Sequence, residues 1–180
     1  IMVSKYADGL PLYRQESILK RSGHAVSRSN IAHWMIRLED VLKPLMTLMR
    51  ESQNASDYLH MDETRIQVLT EDGKTAQSDK WMWVTRGGPP RQPCVLFEYD
   101  PSRAGLIPER LLHGFSGTLQ ADGYAGYNLV CKNQNLTRMG CWDHVRRKFV
   151  EAKKAADKTG VKKVKTSKAD VGISKMRKLY

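Results

Sequence analysis

Between residues 57 and 158, strand-like and helix-like stretches follow one another in an order that few folds can accommodate. Three strand-like runs come first, and they are joined by short turns at Asp72-Gly73 and at Gly87-Gly88-Pro89-Pro90. Short turns pair consecutive strands antiparallel, whereas a helix between two strands lets them pair in parallel. Helices separate the later strands, so the order predicts an α/β domain with a mixed five-stranded sheet and flanking helices.

The predicted strands cover residues 58–69, 81–85, 94–99, 118–121 and 136–142, and the predicted helices cover 101–112, 124–130 and 143–158. Pro108 is expected to break the first of these helices, and Asp143 is expected to cap the last. The order of three strands, helix, strand, helix, strand and helix is that of a ribonuclease-H-like fold.

Residues 1–52 have the pattern of helices. Pro11 can open a helix that Gly23 ends, and Ser27 or Ser29 can cap the next one. A helix, a glycine turn and a second helix fit a helix-turn-helix DNA reader, but the pattern does not mark a recognition helix and favours a helical hairpin that packs on the following domain. The second helix places apolar residues three and four apart, at Ile31, Trp34, Met35, Leu38, Val41, Leu42, Leu45 and Met49.

The remaining segments divide the chain into three parts. Residues 51–57 are polar and predict a linker between the helical segment 1–52 and the sheet domain 57–158. Residues 159–180 are rich in lysine and predict a flexible basic segment that leads into a truncated helical region. Both ends have the character of interior sequence, so we expect the chain to be a fragment.

The chain is strongly basic, with 30 Lys and Arg against 19 Asp and Glu and a formal net charge of +11. This charge favours a polyanionic partner, with nucleic acid ahead of an anionic membrane surface. No apolar run reaches membrane-spanning length, and no signal-peptide pattern is present. The chain has three cysteines without paired spacing, which are Cys94, Cys131 and Cys141. An odd number of unpaired cysteines predicts reduced thiols and hence a cytoplasmic protein.

Two aspartates are the candidate metal ligands. Asp62 belongs to the first predicted strand, and Asp122 directly follows the fourth. A ribonuclease-H-like fold brings these two positions together, and hard cations such as Mg²⁺ prefer carboxylate oxygens. An isolated Asp122-Gly123 would be read as a plain turn. Side chains alternate along a strand, so Glu63 is expected to face away from Asp62 and to contribute little to such a site.

The stretch after the fifth predicted strand adds candidate polar contacts. Cys141 and His144 form a Cys-x-x-His step, for which the alternatives are a buried thiol with a hydrogen-bonded histidine and a role that supports the metal ligands or DNA contact. A zinc site would need about four ligands, and no second pair lies nearby in the sequence. The predicted phosphate-binding cations, which could also form only a solvated basic face, are Arg146, Arg147, Lys148, Lys153 and Lys154.

Four stretches spread over most of the chain resemble the central region of insertion sequence 66 family transposases, which are bacterial enzymes of the DDE type. The last of them is the longest and the most specific. They are Leu10-Pro11-Leu12-Tyr13-Arg14-Gln15-Glu16, Met61-Asp62-Glu63-Thr64, Leu119-Gln120-Ala121-Asp122-Gly123-Tyr124 and Gly140-Cys141-Trp142-Asp143-His144-Val145-Arg146-Arg147-Lys148-Phe149.

The resemblance implies cleavage and strand transfer of double-stranded DNA at transposon ends, with Mg²⁺ or Mn²⁺ as cofactor. It also implies a nucleoid-associated protein that can form a homo-oligomer on DNA. Asp62 and Asp122 match the first two acids of the family's triad. The third acid, a glutamate, is expected beyond Tyr180, and Glu151 is the acid on the last predicted helix that could stand in for it.

Two other functions fit the same residues. One is another ribonuclease-H-like nuclease, such as a resolvase or a nuclease for RNA–DNA hybrids. The other is a transposase remnant that binds DNA without activity. Because the third acid lies outside the chain, we expect residues 1–180 alone to be inactive or nearly so.

Overall fold

The computed structural model describes residues 1–158 and 166–178. The chain divides into two compact units, residues 1–49 and residues 50–180, and each is described here by itself. In the described residues no helix is long and apolar enough to cross a membrane.

The first unit is helical, as predicted. It contains α1 (Met2–Tyr6), α2 (Leu12–Arg21) and most of α3 (Arg28–Asn54). Gly23 has a φ of +84° directly after α2, and the Ser27 hydroxyl oxygen accepts a hydrogen bond from the Asn30 N–H at the start of α3. Ile31 of the predicted apolar face is fully buried, but Trp34 is about half exposed. The choice between a helix-turn-helix reader and a helical hairpin stays open.

Helix α3 continues to Asn54, so the linker predicted for 51–57 is helical over its first four residues. The side chain of Gln53 explains this difference. It is fully buried, and its amide donates to the backbone oxygens of Thr85 at 3.1 Å and of Cys94 at 3.2 Å. These contacts with distant parts of the chain hold a polar stretch in a helix, which its composition alone does not predict.

The second unit is built on a mixed five-stranded sheet, which confirms the predicted architecture. Its strands lie in the order β3-β2-β1-β4-β5. The first three strands pair antiparallel, and β4 pairs in parallel with both β1 and β5. The strands are β1 (Tyr58–Ile66), β2 (Lys80–Gly87), β3 (Cys94–Asp100), β4 (Thr118–Ala121) and β5 (Thr137–Gly140).

Helices follow the third, fourth and fifth strands. They are α4 (Leu106–Leu111), α5 (Tyr127–Asn133) and α6 (Trp142–Lys158). Pro108 lies inside α4 and does not break it, because it occupies the first turn, where no backbone N–H is needed. Helix α6 begins at Trp142, so Asp143 lies in its first turn and not at the cap.

The hydrophobic core lies on one face of the sheet, beneath α4 and α5. Alternation along β1 points Leu59 and Met61 into this core, while Tyr58, His60 and Asp62 lie on the other face. Trp81 and Trp83 of β2 are also buried in this core. The core residues are Leu59, Met61, Trp81, Trp83, Ile107, Leu111, Leu112, Phe115, Leu119, Ala121, Tyr127, Val130 and Leu136.

Part of the predicted basic segment forms a seventh helix, α7 (Lys168–Met176). Ser167 and Asp170 form a capping box at its start, and the ammonium of Lys153 on α6 lies 2.6 Å from the Asp170 carboxylate. The Lys153 and Ser167 hydrogen bonds lower the pKa of Asp170 to about 2. Residues 159–165, for which flexibility was predicted, and residues 179–180 lie outside the described residues.

Gly117 sets how closely β4 can approach the start of β1. Its φ is +147°, and a Cβ added there would lie 2.6 Å from the backbone oxygen of Asp57. We expect Gly117→Ala to lower the free energy of unfolding by about 1–3 kcal/mol, measured by denaturant unfolding. Gly140→Ala is the control, since a Cβ there meets nothing within 4 Å. Equal losses for both variants would contradict the prediction.

The Asp170 contacts should make stability depend on pH. The pKa of Asp170 lies below its ordinary value of 3.8 in the folded protein, so this stabilisation is present above about pH 4 and is lost as the pH falls towards 2. We expect Asp170→Asn to lower the midpoint of thermal unfolding at pH 6, and the difference from the unmodified chain to shrink as the pH falls. Asp8→Asn is the exposed control. A difference that stays constant between pH 6 and pH 2 would contradict the prediction.

Candidate functional site

Asp62 and Asp122 lie at the same level of two neighbouring parallel strands. The parallel register pairs Tyr58 with Thr118 and ends with His60 opposite Gln120. Each aspartate comes two residues after that last pair. Asp62 is thus within β1 and not at its end, but it lies beyond the point where β4 stops. Both side chains line one pocket of about 380 Å³.

The loop that carries Asp122 is held by two sets of hydrogen bonds. Its carboxylate oxygen Oδ1 accepts from the backbone N–H of Tyr124 at 2.8 Å, which is a side-chain turn. Arg138 on β5 donates from Nη2 to the backbone oxygens of Asp122 at 2.6 Å and of Tyr124 at 2.8 Å. Asp122 is therefore a turn residue and a pocket residue at once, so the two interpretations of Asp122-Gly123 do not exclude each other.

The Cys-x-x-His step lies against Asp62. The imidazole Nε2 of His144 is 3.6 Å from Oδ2 of Asp62, and the Asp62 side chain is 56% exposed. Burial alone would lower the pKa of His144, but the hydrogen bond with Cys141 and the charge of Asp62 outweigh it and raise that pKa. Burial would raise the pKa of the Cys141 thiol, and the contacts with His144 more than offset this and lower it. His144 can therefore hold a proton towards Asp62.

One face of α6 borders the pocket. His144, Arg147, Lys148 and Glu151 line it, and the last three lie three, four and seven residues beyond His144, which places them on one side of the helix. The ammonium of Lys148 lies 3.3 Å from the Glu151 carboxylate. Arg146 is exposed but does not line the pocket.

The two remaining predicted cations lie further along α6. Lys153 forms the ion pair with Asp170, whereas Lys154 is exposed. Neither lines the pocket with the two aspartates. Of the five predicted phosphate-binding cations, the structure thus brings Arg147 and Lys148 to the candidate site.

Two residues that sequence reasoning missed complete the pocket. Glu63 was expected to face away, and its side chain does leave the Asp62 face and is 1% exposed, but it lines the same pocket. It accepts hydrogen bonds from the Tyr127 hydroxyl and from Nε of Arg103, the latter at 2.8 Å. Arg103 also lines the pocket, so Glu63 turns away from Asp62, as expected, and borders the site together with Arg103.

Burial has the largest effect on the pKa values of Glu63 and of Tyr127, which donates a hydrogen bond to it. It raises the pKa of Glu63, although the hydrogen bonds from Tyr127 and Arg103 act in the opposite direction. Burial and the nearby Glu63 carboxylate also raise the pKa of the Tyr127 hydroxyl, which therefore stays protonated and donates. No signal in the sequence marks Arg103, because it lies in a loop without periodicity and forty residues from its partner.

Carboxylates and cations both line the pocket. Four carboxylates line it, against three permanent cations, Arg103, Arg147 and Lys148. Within residues 1–158 and 166–178, no three His, Cys, Asp or Glu side chains are grouped so that they could hold a metal ion. Asp62 and Asp122 supply two carboxylates, the ligand type that hard divalent cations prefer, and an ion held by two protein ligands would keep several of its waters. The four carboxylates are those of Asp62, Glu63, Asp122 and Glu151.

A search of solved structures matches the chain to the cryoEM structure of the simian T-cell lymphotropic virus intasome in complex with PP2A regulatory subunit B56 gamma. The match has a TM-score of 0.36 and 12% sequence identity, and it covers 47% of this chain and 31% of the matched chain. A similarity this low supports no assignment of fold or function.

Curated relatives are closer in sequence. The uncharacterized protein y4qI of Sinorhizobium fredii (strain NBRC 101917 / NGR234) is 39% identical over 164 residues, which are 84% of this chain and 30% of the relative. The uncharacterized protein y4jD of the same strain is 32% identical over 86% of this chain and 32% of its own length. The chain thus spans about a third of the length of these relatives. The family model for "Transposase IS66 family" matches residues 1–180, and the chain belongs to this family of transposases.

Proposed function

We propose that this chain carries the first two carboxylates of a DDE-type, ribonuclease-H-like catalytic core that cleaves DNA and transfers strands at transposon ends. The observation that carries the proposal is the position of Asp62 and Asp122 at one level of the parallel pair β1 and β4, lining one pocket. Membership of the transposase family supports the reaction class.

Asp62 and Asp122 would hold the metal ion, Mg²⁺ or Mn²⁺. When bound, such an ion offsets the excess of carboxylates and stabilises charge on the oxygens of a phosphodiester undergoing displacement. The protein contributes the positions of the ligands. His144 restrains Asp62 through Nε2, and Arg138 restrains the loop of Asp122.

The cations on α6 would bind the DNA backbone next to the reacting phosphate. Arg147 and Lys148 border the pocket, and contacts of this kind position DNA without reading its sequence. Lys154 can extend the same contact along the helix, and Arg146 can do so from another face. We expect Lys153 to contribute less, because its ammonium is engaged by Asp170.

The third carboxylate has two candidate sources. From the family resemblance, a glutamate beyond residue 180 would be one source, and Glu151 of this chain, which lines the pocket with Asp62 and Asp122, would be the other. Glu151 is paired with Lys148 and is 54% exposed, and this pairing makes it the weaker candidate. The partners of the whole protein would be transposon-end and target DNA, bound as a homo-oligomer in the nucleoid.

Replacing either aspartate should abolish cleavage without removing DNA binding. In the full-length protein with Mg²⁺ or Mn²⁺, we expect Asp62→Asn and Asp122→Asn each to lower the rate of strand cleavage by at least about 100-fold, since asparagine keeps the shape but loses the charge that holds the metal. DNA affinity should stay within about twofold or tighten slightly, because binding depends on the cations. The measurements are a cleavage assay on labelled DNA and a binding titration.

The control is Asp57→Asn, because Asp57 is exposed and does not line this pocket. It should cleave at the unmodified rate, and equal loss in all three variants would contradict the proposal. Residues 1–180 alone should be inactive or nearly so. Efficient cleavage by this chain that disappears in Glu151→Gln would identify Glu151 as the third ligand. Binding without cleavage by the full-length protein would favour an inactive DNA-binding remnant.

Neighbouring arginines on α6 provide a matched test of DNA contact. Arg146 and Arg147 are both exposed, but of these two Arg147 lines the pocket. We expect Arg147→Ala to reduce the slope of log affinity against log salt by about 0.9, which corresponds to one lost phosphate contact, and Arg146→Ala to reduce it less. The measurement is fluorescence anisotropy across salt. A larger change for Arg146→Ala, or an affinity that does not depend on salt, would contradict this.

A further inference from the structure

We propose that Arg103, held in place by the buried carboxylate of Glu63, is a phosphodiester-binding residue on the rim of the aspartate pocket. The substrate class rests on the proposed function, but the binding step needs no metal ion. Arg103 would contact the DNA backbone from the loop after β3, whereas Arg147 and Lys148 contact it from α6.

Glu63 fixes the guanidinium of Arg103. Nε and Nη2 donate to one carboxylate oxygen of Glu63, at 2.8 and 2.5 Å. The Tyr127 hydroxyl donates to the other oxygen, so the buried carboxylate cannot rotate away without losing a partner. This arrangement leaves the Nη1 edge of the guanidinium to donate to another acceptor.

Two aromatic rings restrict Arg103 further. Its guanidinium carbon lies 4.6 Å from the ring centroid of Trp81 and 4.1 Å from that of Tyr124. The hydroxyl of Tyr124 also donates to the backbone oxygen of Arg103. An arginine positioned this way loses little conformational entropy when it binds an anion, because its side chain is already ordered.

The position of Arg103 points to a phosphate as the ligand. The side chain is 37% exposed, so it reaches solvent despite its partners, and it lines the pocket that contains Asp62 and Asp122. An ion pair that served stability alone would not need an edge open to that pocket. The planar guanidinium suits the oxygens of a phosphodiester, to which it can donate with fixed geometry.

Arg65 offers a matched control. Its guanidinium carbon also stacks on Trp81, at 5.4 Å from the ring centroid, and it also forms an ion pair, with Asp79 at 3.2 Å. It does not line the aspartate pocket. Arg65→Ala and Arg103→Ala therefore remove the same charge and a contact with Trp81, but of the two residues Arg103 borders the site and has a buried partner, since the Glu63 side chain is 1% exposed and that of Asp79 is 53% exposed.

The test measures binding of residues 1–180 to a short DNA duplex in EDTA, across salt. We expect Arg103→Ala to weaken binding about tenfold at low salt and to reduce the salt slope by about 0.9, and Arg65→Ala to change affinity less than twofold. Arg103→Lys should restore most of the slope but only part of the affinity, because it keeps the charge and loses the planar geometry. Circular dichroism confirms that each variant is folded.

Two further variants separate binding from packing. Arg103→Gln keeps a planar polar group but loses the charge, and it should also weaken binding about tenfold. It therefore provides the test if the alanine variant does not fold. Glu63→Gln removes the charge that holds the Arg103 guanidinium. Added to Arg103→Ala, it should cause no further loss of DNA affinity, since Glu63 acts through Arg103.

Equal effects of the Arg103 and Arg65 variants would overturn the inference, and so would a complete lack of DNA binding by the unmodified chain. DNA binding that depends on Arg103, without metal-dependent cleavage by the full-length protein, would overturn the proposed function alone.

Discussion

The parallel pairing of β1 with β4 is the contact on which the candidate site depends. The ladder has three residue pairs, and Asp62 and Asp122 each lie two residues beyond its last pair. The register of so short a strand pair depends on the contacts at its ends. At the start of this pair, Gly117 lies close to the backbone of Asp57. A shift of one residue in this register would move Asp122 to another level and turn its neighbours to the opposite face. The two carboxylates line one pocket because this register puts them at the same level of neighbouring strands.

The pocket is completed by elements that reach the ladder from two sides. Helix α6 brings His144, Arg147 and Lys148, and the loop after β3 brings Arg103. Lys148 pairs with Glu151 and Arg103 with Glu63. The buried Glu63 carboxylate restrains Arg103, and four carboxylates line the pocket against three permanent cations. In the proposed function a divalent cation would offset these carboxylates at the reacting phosphate, while the cations on the rim contact the DNA backbone on either side of it.

Glu63 shows how a buried charge can support a surface site. Its carboxylate is almost fully enclosed, and burial raises its pKa, so it costs free energy to keep it ionised. The hydrogen bonds from Tyr127 and Arg103 offset that cost in part. Replacing the pair with apolar residues could keep the fold, but it would lose the ordered guanidinium at the pocket. This is the physical ground for linking the pair with substrate binding and not with stability alone.

The sequence by itself determined the order of strands and helices along the chain and pointed to the two aspartates, because hydrophobic periodicity and turn residues act over a few neighbouring positions. It also determined the Cys141 and His144 step and the basic face of α6, whose members are close in the chain. Only the tertiary structure decided that 51–54 continue α3, that Pro108 lies within a helix, and that Arg103 and Glu63 meet. Those outcomes depend on contacts between residues that are far apart in the sequence, such as Gln53 with Thr85, and no local pattern encodes such contacts.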